Sequence, residues 1–495
     1  VAWWNQAFDA AGYVDAFQVR ILPPDADPQD VRYNVVNWDQ RQTRSWSYGG
    51  GIIDPRTGEI IKGNVVLEGL RLRQDVLIFE SLVGIAQENS GGANDPVRVS
   101  LARIRQLGAH EVGHAIGFVH NFAASTQGRT SVMDYPFAKF GLVDGRIDLS
   151  DAYATGIGAW DKFTVDWLYG QPAPGVDADA DAARKAAAAR AAGLAYMTDI
   201  DGRDGDLAVP GDSMWTEGAD QAADLAHVMA VRRVALANFG TGVLHPGEPL
   251  ANLRRRFVPV WLLHRYAVAA IGKSVGGVHY AYGVAGDGSP GPQSASAAEQ
   301  TAALDALIAT LSPDALTVSP QMAMLLSSGV NGRDDPQFDS EVFATAGAAV
   351  FDPLVATDVA AQVTLDALLA PSRLTRVYLQ HEADPALLGL DDVLGRLASV
   401  IERRRSAVER RIAHRAILAM AKTQRDPRTS IDVAAMLDVR LRSVAMRLAA
   451  AKGESVDAAW SRSMAAMLRD DDALGREIGK GARAVPQTPP GMPIG

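Results

Sequence analysis

The 495-residue sequence contains no cysteine. Thiolate metal sites, cysteine nucleophiles, disulfide bonds and a cysteine-based latency switch are therefore excluded within this chain. The absence does not decide the redox compartment, because a disulfide-free protein can function on either side of a bacterial membrane.

Positive charge and long apolar runs are also scarce. The 48 Lys and Arg residues are outnumbered by 58 Asp and Glu residues, and the formal net charge is -10. Nucleic acid is not an expected partner, because phosphate-binding surfaces need clustered Lys and Arg. The most apolar stretch, 257–271, is shorter than the ~20 residues of a membrane helix and contains Pro259 and Arg265. We expect no membrane span in this chain and interpret the stretch as a core helix.

The opening third of the chain has the pattern of an α/β unit. Residues 3–11 are helix-like, and residues 17–22 and 33–38 are short β-rich runs separated by a turn rich in Pro and Asp. A hairpin follows, with strands at 51–53 and 59–67 on either side of the turn DPRTG. These segments predict a small, partly exposed sheet.

A long helix is predicted to follow this sheet. Asp95 can cap its backbone N–H groups, and Pro96 suits its first position. His110 and His114 lie four residues apart on this helix, so their imidazoles are one turn apart on one side, as two zinc ligands require. Glu111 is adjacent to them and can reach a metal-bound water rather than the metal.

A third ligand requires a sharp turn after the helix. Gly117 permits this turn, because glycine tolerates a positive φ, and His120 can then return toward the first two imidazoles. Residues 110–120, HEVGHAIGFVH, match H-E-x-x-H-x-x-G-x-x-H at every fixed position, in a chain with only 9 histidines. The alternatives to a catalytic zinc site are three hydrogen-bonded core histidines without metal and a zinc-binding scaffold without catalysis.

This string, together with SVMDYP at 131–136, resembles the metzincin zinc peptidases. The resemblance implies a Met-turn at Met133 beneath the zinc. It also implies that Tyr135 lies near the metal as a switchable ligand and hydrogen-bond donor to the transition state. A tyrosine packed in the core, with its hydroxyl satisfied locally, is the alternative.

The same resemblance implies the chemistry. One catalytic Zn²⁺ would be held by His110, His114 and His120 and would activate a water molecule. Glu111 would act as the general base toward that water and then protonate the leaving amine of a protein or peptide substrate. A strand of the hairpin would pair with the extended substrate, unless the hairpin only completes the sheet.

More narrowly, residues 3–169 resemble a bacterial group of large zinc-dependent metalloproteases. The segments that carry this resemblance are DVRYN at 30–34, DPRTGEI at 54–60, the zinc motif with Asn121 and Phe122, and the segment 131–136. The implied fold is α+β: a metzincin-like catalytic domain, with a small twisted mixed sheet and an active-site helix, followed by a mainly α-helical C-terminal region. Members of the group usually carry an export signal, so we expect a secreted, periplasmic or cell-envelope location. The sequence shows no such signal before Trp3, and we expect that a segment upstream of Val1 has been removed or omitted.

The composition changes near residue 170, where prolines and a glycine precede an alanine-rich segment. We predict a catalytic domain at 1–170, a helical region at 171–484 with apolar core stripes, and a disordered Pro-rich tail at 485–495. The Asp-rich segment 199–206 is interpreted as a polar surface loop, with a calcium loop as the alternative, because the bidentate acid of an EF-hand is missing.

Some alternatives stay open from the sequence. His264 and His279 lie among aromatic residues and are interpreted as core or lid residues, with a substrate cleft as the alternative. Two other functional classes also remain: a binding module that keeps zinc as a structural staple, and a hydrolase that acts on a non-peptide amide.

Overall fold

The structure is a computed structural model and describes residues 1–41, 46–329 and 338–484. It begins with a 3-10 turn at Ala2–Trp4 and helix α1 (Asn5–Ala10). The first sheet contains β1 (Val35–Asp39), β2 (Tyr48–Ile53) and β3 (Ile60–Glu68). Next come α2 (Gly69–Val83), α3 (Pro96–Ala115), the hairpin β4 (Gly141–Val143) and β5 (Arg146–Asp148), and α4 (Ala159–Tyr169).

The second part is mainly helical. Its helices up to residue 326 are α5 (Ala178–Ala191), α6 (Asp199–Gly202), α7 (Gln221–Asn238), α8 (Leu253–Trp261), α9 (Arg265–Gly272), α10 (Ala297–Thr310), α11 (Pro313–Leu316) and α12 (Pro320–Leu326). A short hairpin, β6 (Val278–His279) with β7 (Gln293–Ser294), lies before α10. The remaining helices are α13 (Pro353–Leu368), α14 (Pro371–Ala383), α15 (Leu390–Glu402), α16 (Ala407–Gln424), α17 (Ile431–Ala449), α18 (Val456–Arg469) and α19 (Asp471–Ala484).

The first sheet is mixed, with β3 in the centre. β1 pairs with β3 in parallel, with Val35 opposite Asn64, and β2 pairs with β3 antiparallel, with Tyr48 opposite Val66. β2 is therefore an edge strand of this sheet. The predicted hairpin and the small mixed sheet are confirmed, and the fold class is α+β as expected.

One predicted strand is wrong. Residues 17–22 form no strand, and the aromatic ring of Phe17 instead stacks on Phe8 of α1, with 5.8 Å between the ring centroids. A β-rich run becomes a strand only where the fold brings another strand beside it, and none of the described sheets includes residues 17–22. The segment packs through the Phe17 ring rather than through strand pairing.

The two largest apolar clusters of the described residues form the main cores of the chain. The first joins α3 to the sheet and the amino terminus through buried Trp4, Val65, Leu107 and Val112, and the Trp4 indole N–H donates to Ala109 O at 2.8 Å. The larger core contains side chains from both sides of residue 170, including Phe79, Val99, Leu225 and Phe257. The domain division at 170 stays a prediction, and packing is continuous across it.

Stretch 257–271 is buried, as expected of core residues, but it forms two helices, α8 and α9, with a break between them. Across the described ranges, no single helix has the length and apolarity to cross a membrane. The bent pair of α13 and α14, which meet at 44°, meets those criteria jointly. The tail predicted at 485–495 lies outside the described residues.

Candidate metal centre

Helix α3 carries the first part of the site. The Asp95 carboxylate accepts a hydrogen bond from Val97 N at 3.0 Å, and Pro96 occupies the first helical position, as the sequence predicts. The helix then runs without interruption to Ala115. His110 and His114 consequently lie on successive turns of one rigid element.

The turn after α3 is a Schellman motif. Phe118 N donates to Gly113 O at 2.9 Å, and Gly117 N donates to His114 O at 3.0 Å. Gly117 has a φ of 99°, which a residue with a Cβ adopts only with strain. This turn reverses the chain within a few residues and returns His120 to the helix face.

Three imidazole nitrogens converge at this point. The Nε2 atom of His114 is 3.1 Å from Nε2 of His110 and 3.1 Å from Nε2 of His120. A tetrahedral ion about 2.0–2.1 Å from each nitrogen requires nitrogen pairs about 3.3 Å apart, so the spacing suits zinc. These three side chains form a group that can hold a metal ion.

The other ring nitrogens identify which atoms are free to bind. Nδ1 of His110 faces Val132 O at 2.7 Å, and Nδ1 of His114 faces Phe118 O at 2.8 Å. Nδ1 of His120 faces a carboxylate oxygen of Asp199 at 2.8 Å. Because all three Nδ1 atoms face acceptors, they carry the protons, and three Nε2 lone pairs point at one another. That arrangement suits a cation between them, so the residues fit a metal ion.

Burial also keeps the three imidazoles neutral. Desolvation lowers the pKa of His110 well below its ordinary value, lowers that of His114, and lowers that of His120 to about 4. A neutral imidazole is the form that binds a metal. The protein therefore does not have to remove protons from these rings to load the site.

Glu111 lies beside the ligands on α3 and is 2% exposed. Burial raises the pKa of its carboxyl to about 7, although Arg103 and a hydrogen bond from the Gly49 amide act in the opposite direction. Gly49 belongs to edge strand β2, so this strand passes directly beside Glu111. The Glu111 carboxylate is thus held between helix α3 and edge strand β2.

The segment that supports His110 is fixed by Asp161. The Asp161 carboxylate accepts hydrogen bonds from Ser131 Oγ at 2.6 Å, from Val132 N at 2.9 Å and from Gly158 N at 2.9 Å. Val132 O is the acceptor for His110 Nδ1, so Asp161 indirectly orients the His110 ring. Burial raises the pKa of Asp161 to about 6.

Met133 is 1% exposed and belongs to the core beneath α3, where the resemblance places a Met-turn methionine. Its carbonyl accepts a hydrogen bond from Asn121 N at 3.0 Å, directly after the third ligand. The turn therefore packs against both the helix and the segment that carries His120.

Tyr135 lies against the ligands. Its ring centroid is 4.7 Å from that of His120 and 5.1 Å from that of His110, and its opposite neighbour is Trp215, stacked at 5.1 Å. The phenol oxygen accepts a hydrogen bond from Arg203 Nη2 at 3.3 Å. The hydroxyl therefore keeps its own proton for another acceptor. Burial raises the pKa of this hydroxyl, which keeps it protonated.

Asp199 and Arg203 are two residues near the three imidazoles that the sequence pattern does not predict. Asp199 opens the segment interpreted as a surface loop, but its carboxylate is hydrogen-bonded to a ligand, and Asp201 is buried. The acidic side chains of this segment have different hydrogen-bond partners. The Asp201 carboxylate accepts from the Tyr282 and Tyr280 hydroxyls, and the Asp204 carboxylate accepts from the Asp206 backbone N–H. Only the Asp-rich composition marked the segment as unusual.

His264 and His279, the two further histidines considered in the sequence, do not lie at the three imidazoles. His264 is fully buried beside α9, and His279 pairs with Glu299 at 3.0 Å. A second group of possible ligands, Glu80, Glu88 and His245, lies elsewhere, and Arg256 already forms an ion pair with Glu80 there.

The comparisons with known proteins concern the same part of the chain. The model of a family described as Met-zincin matches residues 92–407, which is more than half of the chain. The matched segment begins just before α3 and contains the three imidazoles, Glu111 and Tyr135. It continues past residue 170 into the helical region. No curated protein and no solved structure matches the chain.

Proposed function

The chain belongs to the Met-zincin family, and from this premise we propose that it is a zinc-dependent endopeptidase with Glu111 as its general base. Family membership supports zinc peptidase chemistry and a protein substrate. The observation that carries the finer proposal is the convergence of three Nε2 lone pairs beside the buried Glu111 carboxylate. A zinc ion with a purely structural role does not need a buried carboxylate next to its histidines.

His110, His114 and His120 would hold the zinc ion, which when bound supplies a Lewis acid that polarises a carbonyl and lowers the pKa of water. The Glu111 carboxylate takes a proton from the attacking water as the C–O bond forms and the carbonyl π bond opens, which leaves the negative charge on the former carbonyl oxygen. Glu111 then passes this proton to the amine nitrogen, and the peptide C–N bond breaks as the carbonyl re-forms. The Tyr135 hydroxyl donates a hydrogen bond to the oxygen that gains negative charge.

The edge strand β2 is our candidate for the substrate-binding strand. Among the described residues it pairs with β3 on one side and with no strand on the other, its residues Ile52 and Ile53 are exposed, and its Gly49 amide lies at Glu111. An extended peptide that pairs with this edge would run past the general base. The alternative is that the hairpin only completes the sheet.

Metal analysis combined with mass-spectrometric mapping of cleavage sites in a denatured protein mixture tests the proposal. We expect one zinc per chain, and new termini inside the substrate chains that disappear in Glu111→Gln and after treatment with a chelator. Stoichiometric zinc without cleavage would overturn the proposal in favour of a zinc-stapled binding module. Hydrolysis of small non-peptide amides alone would overturn it in favour of a different hydrolase.

A location in the periplasm, the cell envelope or outside the cell is also proposed. It is supported only by the likeness of residues 3–169 to an exported group of bacterial metalloproteases. Fractionation of the producing cells, with detection of the protein in each fraction, tests it, and recovery in the cytoplasmic fraction alone would contradict it.

A further inference from the structure

Helix α6 and the residue after it lie against the metal centre. Asp199 Oδ2 accepts the hydrogen bond from His120 Nδ1 at 2.8 Å, and Asp199 Oδ1 accepts a hydrogen bond from Arg203 Nε. Arg203 Nη2 donates to the Tyr135 hydroxyl oxygen at 3.3 Å, and its guanidinium lies 5.5 Å from the centre of that ring. One continuous chain of contacts thus joins the third ligand to Tyr135.

The contact with His120 differs from those of the other two ligands. His110 and His114 donate to backbone carbonyls, whereas His120 donates to a carboxylate. A charged acceptor forms the stronger hydrogen bond, fixes the ring orientation and raises the basicity of the opposite nitrogen. Asp199 therefore increases the ability of His120 Nε2 to bind a cation.

The contact with Tyr135 has a different effect. A phenol oxygen that accepts from Arg203 keeps its own proton available for another acceptor. The guanidinium therefore holds the ring in place and leaves the O–H directed away from Arg203. Asp199 balances the positive charge that Arg203 brings to the site.

Other parts of the chain hold this turn in position. Lys273 Nζ donates to Asp201 O at 2.8 Å and to Gly202 O at 3.0 Å, and Tyr282 donates to the Asp201 carboxylate at 2.6 Å. Lys273 is 1% exposed. These contacts fix α6 through Asp201 and Gly202, leaving the Asp199 carboxylate to His120 and Arg203.

The turn also packs on the ligand side. The Phe122 ring stacks on His120, with 4.9 Å between the centroids, and lies so close to Gly202 that a Cβ there would overlap it. The position of α6 is therefore determined by contacts with Lys273, Tyr282 and Phe122, and a group that orients a ligand must itself be held in this way.

We propose that Asp199 and Arg203 are positioning residues of the active site: Asp199 orients His120 for metal binding, and Arg203 holds Tyr135 for its hydrogen bond to the substrate. The first part requires only that the three imidazoles bind zinc. The second part rests on the proposed function.

Zinc affinity, measured by chelator competition, tests the role of Asp199. Asp199→Ala is expected to weaken zinc binding by about 10- to 100-fold, and Asp199→Asn, which keeps an acceptor but no charge, is expected to weaken it less. The visible spectrum of the Co²⁺-loaded protein should change in both variants. Asp204→Asn is the matched control, because Asp204 is exposed on the same segment and its carboxylate accepts a hydrogen bond from the Asp206 amide of its own loop.

A double-mutant cycle tests the role of Arg203. Arg203→Met is expected to leave zinc affinity within about threefold and KM unchanged while kcat falls about tenfold, because the Tyr135 hydrogen bond acts in the transition state. Arg203→Lys should restore part of kcat. In a Tyr135→Phe background, Arg203→Met should have no further effect.

The outcomes separate this inference from the proposed function. Wild-type zinc affinity and an unchanged cobalt spectrum in Asp199→Ala, with wild-type unfolding of the metal-free protein, would overturn the role of Asp199. Equal losses of kcat from Arg203→Met in both backgrounds would overturn the role of Arg203. A wild-type protein that binds zinc but cleaves no peptide would overturn the proposed function, and the Asp199 measurements would stand.

Discussion

The sulfur atom of Met133 lies against the backbone of Gly113, so close that a Cβ atom at this position would overlap it. Gly113 stands between the first two ligands on α3, and Met133 is buried beneath them. The ligand helix and the turn below it are therefore packed without space for one methyl group.

Replacement of Gly113 by alanine is expected to destabilise the protein by about 1–3 kcal/mol, because the methyl group must displace Met133 or Trp4. The control is Gly108→Ala on the same helix, where a Cβ meets only ordinary contacts, the nearest at 3.8 Å. That variant should gain up to about 1 kcal/mol from helix propensity. Urea unfolding of the metal-free proteins measures both changes. Equal stabilities of the two variants would contradict the close packing.

Glu111→Gln is expected to keep stoichiometric zinc and to lose about 10²- to 10⁴-fold in kcat, because the amide cannot accept a proton from water. Metal analysis and a peptide-cleavage assay on the same sample measure the two properties. Unchanged turnover would remove Glu111 from its assigned role as general base.

His120→Ala is expected to release most of the zinc, because two imidazoles on one helix leave the ion incompletely coordinated. His279→Ala is the control, since His279 is half-exposed and pairs with Glu299 away from the three imidazoles. Zinc content after dialysis measures the difference. Full zinc retention in His120→Ala would show that the third ligand is misassigned.

The Asp161 carboxyl predicts a pH dependence of stability. Burial raises its pKa to about 6 in the folded protein, above its ordinary value, so the folded state binds more protons than the unfolded state between pH ~4 and ~6. The free energy of unfolding should therefore fall by up to about 3 kcal/mol from this group as pH rises through that window.

Asp161→Asn tests this dependence. The amide oxygen can still accept from Val132 N and Gly158 N, while Ser131 Oγ turns to accept from the amide group. Urea unfolding at several pH values should show a flatter profile between pH ~4 and ~6 than in the wild type. If the free energy of unfolding of the variant fell as steeply with rising pH as that of the wild type, the pH dependence would come from another titrating group.

Features that depend on neighbouring residues could be predicted from the sequence. The cap at Asp95, the turn at Gly117 and the hairpin all follow from residue types a few positions apart, and the structure has them where they were expected. The convergence of the three imidazoles is also local, since eleven residues contain all of it. The roles of Glu111 and Tyr135 stay predictions.

Features that depend on distant residues could not be predicted. The Asp199 carboxylate meets His120 across 79 positions, and no local pattern encodes that pairing. The error at residues 17–22 has the same origin, because a β-rich run becomes a strand only where the fold brings a partner edge beside it, and here the Phe17 ring packs on Phe8 instead.

The contacts that hold α6 come from residues as late as Tyr282. During synthesis, the ribosome releases the three histidines well before Asp199, and Asp199 before the lysine and tyrosines that fix its turn. A nascent chain therefore contains the complete zinc motif while the acceptor for its third histidine is still unplaced. The order of translation delays assembly of the finished centre until more than half of the polypeptide has been made.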